Sequence, residues 1–184
     1  MKVIAIVGST RRGNTYTMVE AGCHALHNCD VELLHLKELN VQFCDGCLVC
    51  DETGECRIND DMKDIIPRIK EADAFIFGTP SRWSLLSGEL KVFFDRLNPL
   101  AMPELLKGKK AIIFAVGQSK GEDKITIQQA AQSVQNFCEN AQIDVVDIVI
   151  AEDCLEKDDL ITKHPNTLEI CRNSALKLYQ ELNR

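Results

Sequence analysis

Lys2-Val3-Ile4-Ala5-Ile6-Val7, followed by Gly8-Ser9-Thr10-Arg11-Arg12-Gly13-Asn14-Thr15, is the stretch that decides the fold. The first six residues form an almost unbroken apolar run, the pattern of a parallel strand covered on both faces. Met18, Val19, Gly22, Leu26 and Cys29 then recur at helical spacing. Strand, small polar loop and helix in that order open a doubly wound α/β sheet.

The same alternation continues outward. Further strands are expected at Val31 to Leu36, Asp73 to Gly78, Lys109 to Val116 and Val145 to Ala151. Helical stripes fall between and after them: Met62, Ile65, Ile66 and Ile69 behind Asn59-Asp60-Asp61; Leu86, Leu90, Phe93, Phe94 and Leu97, closed by Asn98-Pro99; Ile127 to Ala141; and Leu168 to Leu182 behind Pro165. Such alternation predicts right-handed βαβ units in one domain over residues 1–184. The expected sheet is parallel and five-stranded, in the order 2-1-3-4-5 with helices on both faces, which puts a switch point between the first and third strands.

Composition narrows the function. A hydrophobic share of 45% and a charged share of 27% suit a globular domain, and a net charge of −7 disfavours nucleic acid as a partner. No run approaches the ~18 apolar residues that would span a bilayer, and no secretory leader is expected. Nine cysteines cannot all pair with one another. A reducing, cytoplasmic compartment is expected, where clustered thiols bind metal or do redox chemistry.

Three loops carry candidate chemistry. In Ser9 to Thr15, small residues, hydroxyls, a helix N-terminus and Arg11 or Arg12 supply what a phosphate monoester needs; a plain turn with a helix cap is the other reading. Neither a Walker A loop nor a Gly-x-Gly-x-x-Gly fingerprint is present. After the third strand, Gly78-Thr79-Pro80-Ser81-Arg82-Trp83 would flank the same crevice, with Pro80 and Trp83 as flat apolar cover or as packing. A third contact is expected at Gly117-Gln118-Ser119, behind the fourth strand, with Gly117 and Gln118 as the candidates.

The third loop, about residues 37–59, lacks periodicity and is longer than the ~2–6 residues usual in α/β connections. It holds Cys44, Cys47, Cys50 and Cys56, a C-x2-C-x2-C-x5-C spacing that suits a 4Fe–4S cube. Zinc and free thiols are the competing readings, zinc being disfavoured because no second knuckle follows. Cys29, Cys138 and Cys171 fall on apolar helical faces, and the four histidines form no constellation.

Gly8-Ser9-x-Arg11-x-x-Gly13-Asn14-Thr15, the Gly78-Thr79-Pro80 loop with Ser87-Gly88-x-Leu90-Lys91-x-Phe93-x-Asp95-Arg96, and the cysteine spacing together resemble the flavodoxin-fold NAD(P)H-dependent FMN reductases, iron–sulfur flavoproteins in particular. The resemblance implies FMN as cofactor, with its phosphate on Ser9, Arg11, Asn14 and Thr15. It implies a ring bordered by Thr79, Pro80, Ser81, Arg82, Trp83, Gly117 and Gln118, and a 4Fe–4S cluster on Cys44, Cys47, Cys50 and Cys56. NADH or NADPH would be the co-substrate, with a small molecule or ferredoxin as electron partner. The resemblance also implies a homodimer or homotetramer, since such relatives are dimers or larger with the flavin near a subunit contact. Two alternatives accompany this reading: a cluster-free FMN, quinone or azo reductase, and a non-catalytic redox carrier or sensor.

Overall fold

The computed structural model describes residues 1–184 throughout. Strands β1 (Lys2–Val7), β2 (Asp30–His35), β3 (Ala74–Pro80), β4 (Lys110–Val116) and β5 (Asp144–Ala151) form one sheet in the order β2-β1-β3-β4-β5. Every neighbouring pair is parallel. The helices are α1 (Asn14–Ala25), α2 (Val49–Thr53), α3 (Met62–Glu71), α4 (Gly88–Asp95), α5 (Asn98–Ala101), α6 (Ile125–Asn140), α7 (Asp159–Thr162) and α8 (Pro165–Leu182). None is long and apolar enough to cross a membrane.

The two-residue period of a strand sorts the core into two layers. Ile4, Ile6, Phe75, Phe77 and Ile113 pack with residues of α3, α4 and α6 on one face. Val3, Ala5, Val7, Ile76, Ile112 and Phe114 pack with α1 and α8 on the other. Phe94 and Phe137 stack at 3.8 Å between centroids, with Phe77 edge-on to Phe94 at 5.2 Å. Two buried faces explain the continuous apolar runs.

Element ends differ from expectation for local reasons. β3 runs on to Pro80 because Thr79 and Pro80 continue the register with Ala115 and Val116. α4 starts behind Ser87, whose hydroxyl accepts from the Leu90 amide at 3.2 Å, so Leu86 precedes the cap. Asn98-Pro99 does not simply close that helix; it opens α5, where proline fits the first turn. Cys29 lies beyond the end of α1. The cysteine loop is irregular except for a 3-10 turn at Leu36–Glu38 and α2, which is bracketed by left-handed Leu48 (φ 60°) and Gly54 (φ 75°).

Candidate functional site: a cationic crevice with unpaired amides

At the C-terminal edge of the sheet, a cavity of about 420 Å³ opens between the ends of β1, β3, β4 and β5. Ser9, Arg11, Gly13, Asn14 and Thr15 line it from the β1–α1 side. Pro80 to Ser84, Val116 to Ser119, Thr126, Cys154 and Leu155 complete it. Arg11 and Arg82 are the only charged residues in this lining. A protein of net charge −7 thus concentrates positive charge and no carboxylate around this one opening.

The β1–α1 loop is unusual in its amides. From Ser9 to Tyr16, only the Gly13 N–H donates to another group of the chain, to Arg11 O at 3.0 Å. No side chain caps α1. Unpaired N–H groups in succession, together with the positive end of a helix, make a nest for an anion. Close packing sets the loop's course. A Cβ on Gly8 would lie 2.8 Å from Ser87 Oγ and 2.9 Å from Leu90 Cβ.

The side chains around the nest mostly hold its shape. Ser9 Oγ donates to Arg11 O at 2.7 Å. Arg11 donates to Leu155 O at 2.9 Å, and the Asn14 amide donates to Glu156 O at 2.6 Å while accepting from Leu160 N at 3.0 Å. Asp159 in turn accepts from the Leu155 and Glu156 amides at 2.8 and 2.9 Å. The Glu156 amide above all, with Lys163, holds the Asp159 carboxyl below the usual carboxylate range.

Arg12, expected to share the phosphate charge, points elsewhere. Its guanidinium pairs with Glu38 at 2.7 Å and sits 5.1 Å from the Tyr16 ring centre. Thr79 is fully buried beside the cavity rather than in its lining, with Oγ1 accepting from Ser87 N at 3.0 Å. The Ser81 hydroxyl donates to Thr126 O at 2.9 Å. Trp83 reaches the rim but is 97% exposed, so within this chain it covers nothing. Trp83 and Ser84 occupy a left-handed two-residue turn (φ 51° and 66°), closed by reciprocal bonds between Arg82 and Leu85. The amides of Trp83, Ser84, Gln118 and Ser119 donate to no other group of the chain.

Gly13, Ser84, Val116, Thr126, Cys154 and Leu155 join the lining, although the sequence does not single them out as ligands. For Cys154 and Leu155 one signal exists: they follow β5, whose C-terminal end belongs to the same sheet edge.

The cysteine loop does not reach this cavity; none of its four cysteines is in the lining. It is fastened instead to the far end of α4. Arg96, 1% exposed, donates to Gln42 O at 2.9 Å, to both Asp60 oxygens at 2.5 and 3.0 Å, and to Cys56 Sγ at 3.4 Å. Asn98 donates to Cys50 Sγ at 3.3 Å and to Asp51 at 2.9 Å. Burial, the largest single effect, opposes the charge on Asp60, but the bonds and charge of Arg96 and the amides of Gln42 and Met62 together outweigh it and keep the carboxyl below its ordinary value. All nine cysteines are free thiols. No group of three or more His, Cys, Asp or Glu side chains is arranged to hold a metal ion.

The sheet order defines a flavodoxin-like α/β protein, with a crevice of unpaired amides at its switch point. More narrowly, the chain belongs to the family described as NADPH-dependent FMN reductase, which matches residues 1–153, and it is an oxidoreductase. An iron–sulfur flavoprotein of Methanocaldococcus jannaschii is 38% identical over 141 residues, 74% of this chain and 71% of that protein. An NAD(P)H-dependent FAD/FMN reductase of Geobacillus thermodenitrificans is 31% identical over 112 residues, 59% of this chain and 57% of its own. Among solved structures, an NAD(P)H:quinone oxidoreductase from Methanothermobacter marburgensis superposes with a TM-score of 0.75 over 97% of both chains, at 20% identity.

Proposed function

We propose that this chain is a cytoplasmic FMN oxidoreductase that takes reducing equivalents from NADH or NADPH and delivers them to a small molecule or to ferredoxin. The carrying observation is the loop from Ser9 to Tyr16, whose amides are unpaired except that of Gly13, at the mouth of a cavity whose only charges are Arg11 and Arg82. A phosphate monoester matches such a row: several strong acceptor oxygens, two negative charges, and no need for a side-chain acid. The Ser9 and Asn14 backbone amides, with the Arg11 and Thr15 side chains, would hold the phosphate, while the Ser9 hydroxyl, committed to Arg11 O, keeps the loop's shape. Pro80, Arg82, Trp83 and the free amides of Gln118 and Ser119 would border the ring.

What FMN supplies when bound is a two-electron acceptor that can also release electrons singly. The residues here bind and orient; no acid–base side chain is required of them. Arg82 would place positive charge beside the ring, which favours the reduced anion. Purified protein should be yellow, release FMN on denaturation, and oxidise NADH or NADPH with a quinone acceptor. Colourless protein that shows no such oxidation after incubation with FMN refutes this reading.

The finer proposal adds a 4Fe–4S cluster on Cys44, Cys47, Cys50 and Cys56 as a one-electron relay. Four soft ligands within one loop suit it, as do the N–H donors at Cys50 and Cys56, because bonds to sulfur help set cluster potentials. The name of the Methanocaldococcus relative points the same way. The cluster-free reductase is favoured by one observation: the sulfurs are not gathered around a common point. Iron and sulfide analysis of anaerobically purified protein separates the two. Assembly as a homodimer or homotetramer would bring the exposed Trp83 rim under cover.

A further inference from the structure

We propose that His35 is a positioning residue for the flavin phosphate: its Nε2–H fixes the Ser9 carbonyl so that the Thr10 amide is presented to the anion. The inference rests on the FMN reading above and extends it to a residue outside the cavity.

His35 ends β2, in register with Val7 of β1, and is 6% exposed. Its Nε2 lies 2.7 Å from Ser9 O. A carbonyl oxygen can only accept, so Nε2 carries a proton, and the Glu38 carboxylate beside Nδ1 likewise only accepts. The direction of this bond matters more than its energy. β2 flanks β1 on one side, whereas β3, β4 and the crevice lie on the other. Every peptide bond is trans, and a trans peptide holds its C=O and N–H antiparallel. A Ser9 carbonyl drawn toward β2 therefore turns the Thr10 N–H away from β2, to the side of β1 on which the crevice opens. That N–H has no partner in the chain.

The imidazole is itself held. Its Nδ1 is 3.2 Å from Glu38 Oε1, which also takes two bonds from Arg12, at 3.1 and 2.7 Å. Tyr16 packs edge-on at 5.6 Å. Arg12, Glu38 and Tyr16 thus act together, bracing the ring that orients the loop. Without the Nε2 donor the Ser9–Thr10 peptide is free to turn over, which would replace an N–H facing the phosphate with a carbonyl oxygen that repels it.

The test compares FMN with riboflavin, which lacks the phosphate. Flavin-free protein is titrated with each, reading flavin fluorescence, for the natural chain and for His35→Met, His35→Asn and His35→Gln. Methionine removes the donor at similar volume. Asparagine keeps a donor that falls short of Ser9 O, and glutamine places one near the Nε2 position. Loss of one N–H bond to an anion predicts about tenfold weaker FMN binding in His35→Met with riboflavin binding unchanged. His35→Gln should recover most of that loss, and His35→Asn should not. Should His35→Met fail to fold, the Asn and Gln pair gives the same contrast. Equal losses for FMN and riboflavin, or unchanged FMN binding in both donor-deficient variants, overturn the role of His35. Failure of the natural chain to bind FMN overturns the flavin reading and this inference with it.

Discussion

Gly78→Ala is expected to weaken both the fold and the flavin site through a single contact. Gly78 pairs with Val7 on one side and Phe114 on the other, beneath the first turns of α1. A Cβ there would sit 2.3 Å from Val19 Cγ2 and 3.2 Å from Thr15 Cγ2, the first more than 1 Å inside ordinary contact. Val19 is fully buried, and a β-branched side chain in a helix has one strongly preferred rotamer, so it cannot swing aside cheaply. Either the β3 backbone or α1 must move, at about 1–3 kcal/mol. Because the same Cβ presses on Thr15, displacement of α1 also spreads the nest, and FMN affinity should fall with stability. Val19→Ala alone costs about 2 kcal/mol through lost burial and the space left behind. The double variant should cost little more than Val19→Ala alone, because the removed methyl groups make room for the new one. Urea unfolding of all four proteins, followed by circular dichroism, gives the coupling energy. Additive losses, with coupling near zero, would refute the claim that Gly78 is required by the approach of α1.

Arg96→Met should leave Asp60 buried without its partner, cost about 3–5 kcal/mol, and raise amide hydrogen exchange across residues 42–60 while leaving β4 and β5 protected. Asp60 is held below its ordinary value, so its contribution is present above the unfolded carboxylate range near pH ~4 and is lost as pH falls through the folded value. Exchange across the cysteine loop should therefore rise in acid before the sheet unfolds. Asp159→Ala should free the Leu155 and Glu156 carbonyls from their places and weaken FMN binding more than riboflavin binding, measured by the same fluorescence titration. Brief alkylation of the native, metal-free protein should mark the exposed Cys44 and Cys47 first; Cys138 and Cys171, buried with thiols pushed up to about 12, should react only after unfolding, as read by mass spectrometry.

Most of the sheet is legible in the sequence because its signals are local. Ile4, Ile6, Phe75, Phe77 and Ile113 sit in apolar runs that only a doubly covered strand explains. The course of the β1–α1 loop is legible for the same reason, since its small residues and the helix start lie within eight consecutive residues, Gly8 to Thr15. What escapes the sequence is what depends on distant partners. Arg96 reads as the polar end of a helix stripe, and its bond to Cys56 bridges residues 40 positions apart. His35 reads as an ordinary strand end, and its bond to the Ser9 carbonyl depends on β2 lying beside β1. Asn14 and Arg11 look like direct phosphate ligands, yet both also reach the segment after β5, more than 140 residues away. Arg12 and Thr79 show the converse: residue type suits the site, but Glu38 and Ser87 take up their polar groups.

The amides between Ser9 and Tyr16 gripping a phosphate monoester are the claim on which the flavin assignment depends most. Calorimetric titration of the flavin-free chain with FMN and with riboflavin tests this directly. Several charge-assisted bonds predict FMN binding at least about a hundredfold tighter than riboflavin, with the gap shrinking as salt is added. Equal affinity for the two flavins, at low salt and high, would contradict it.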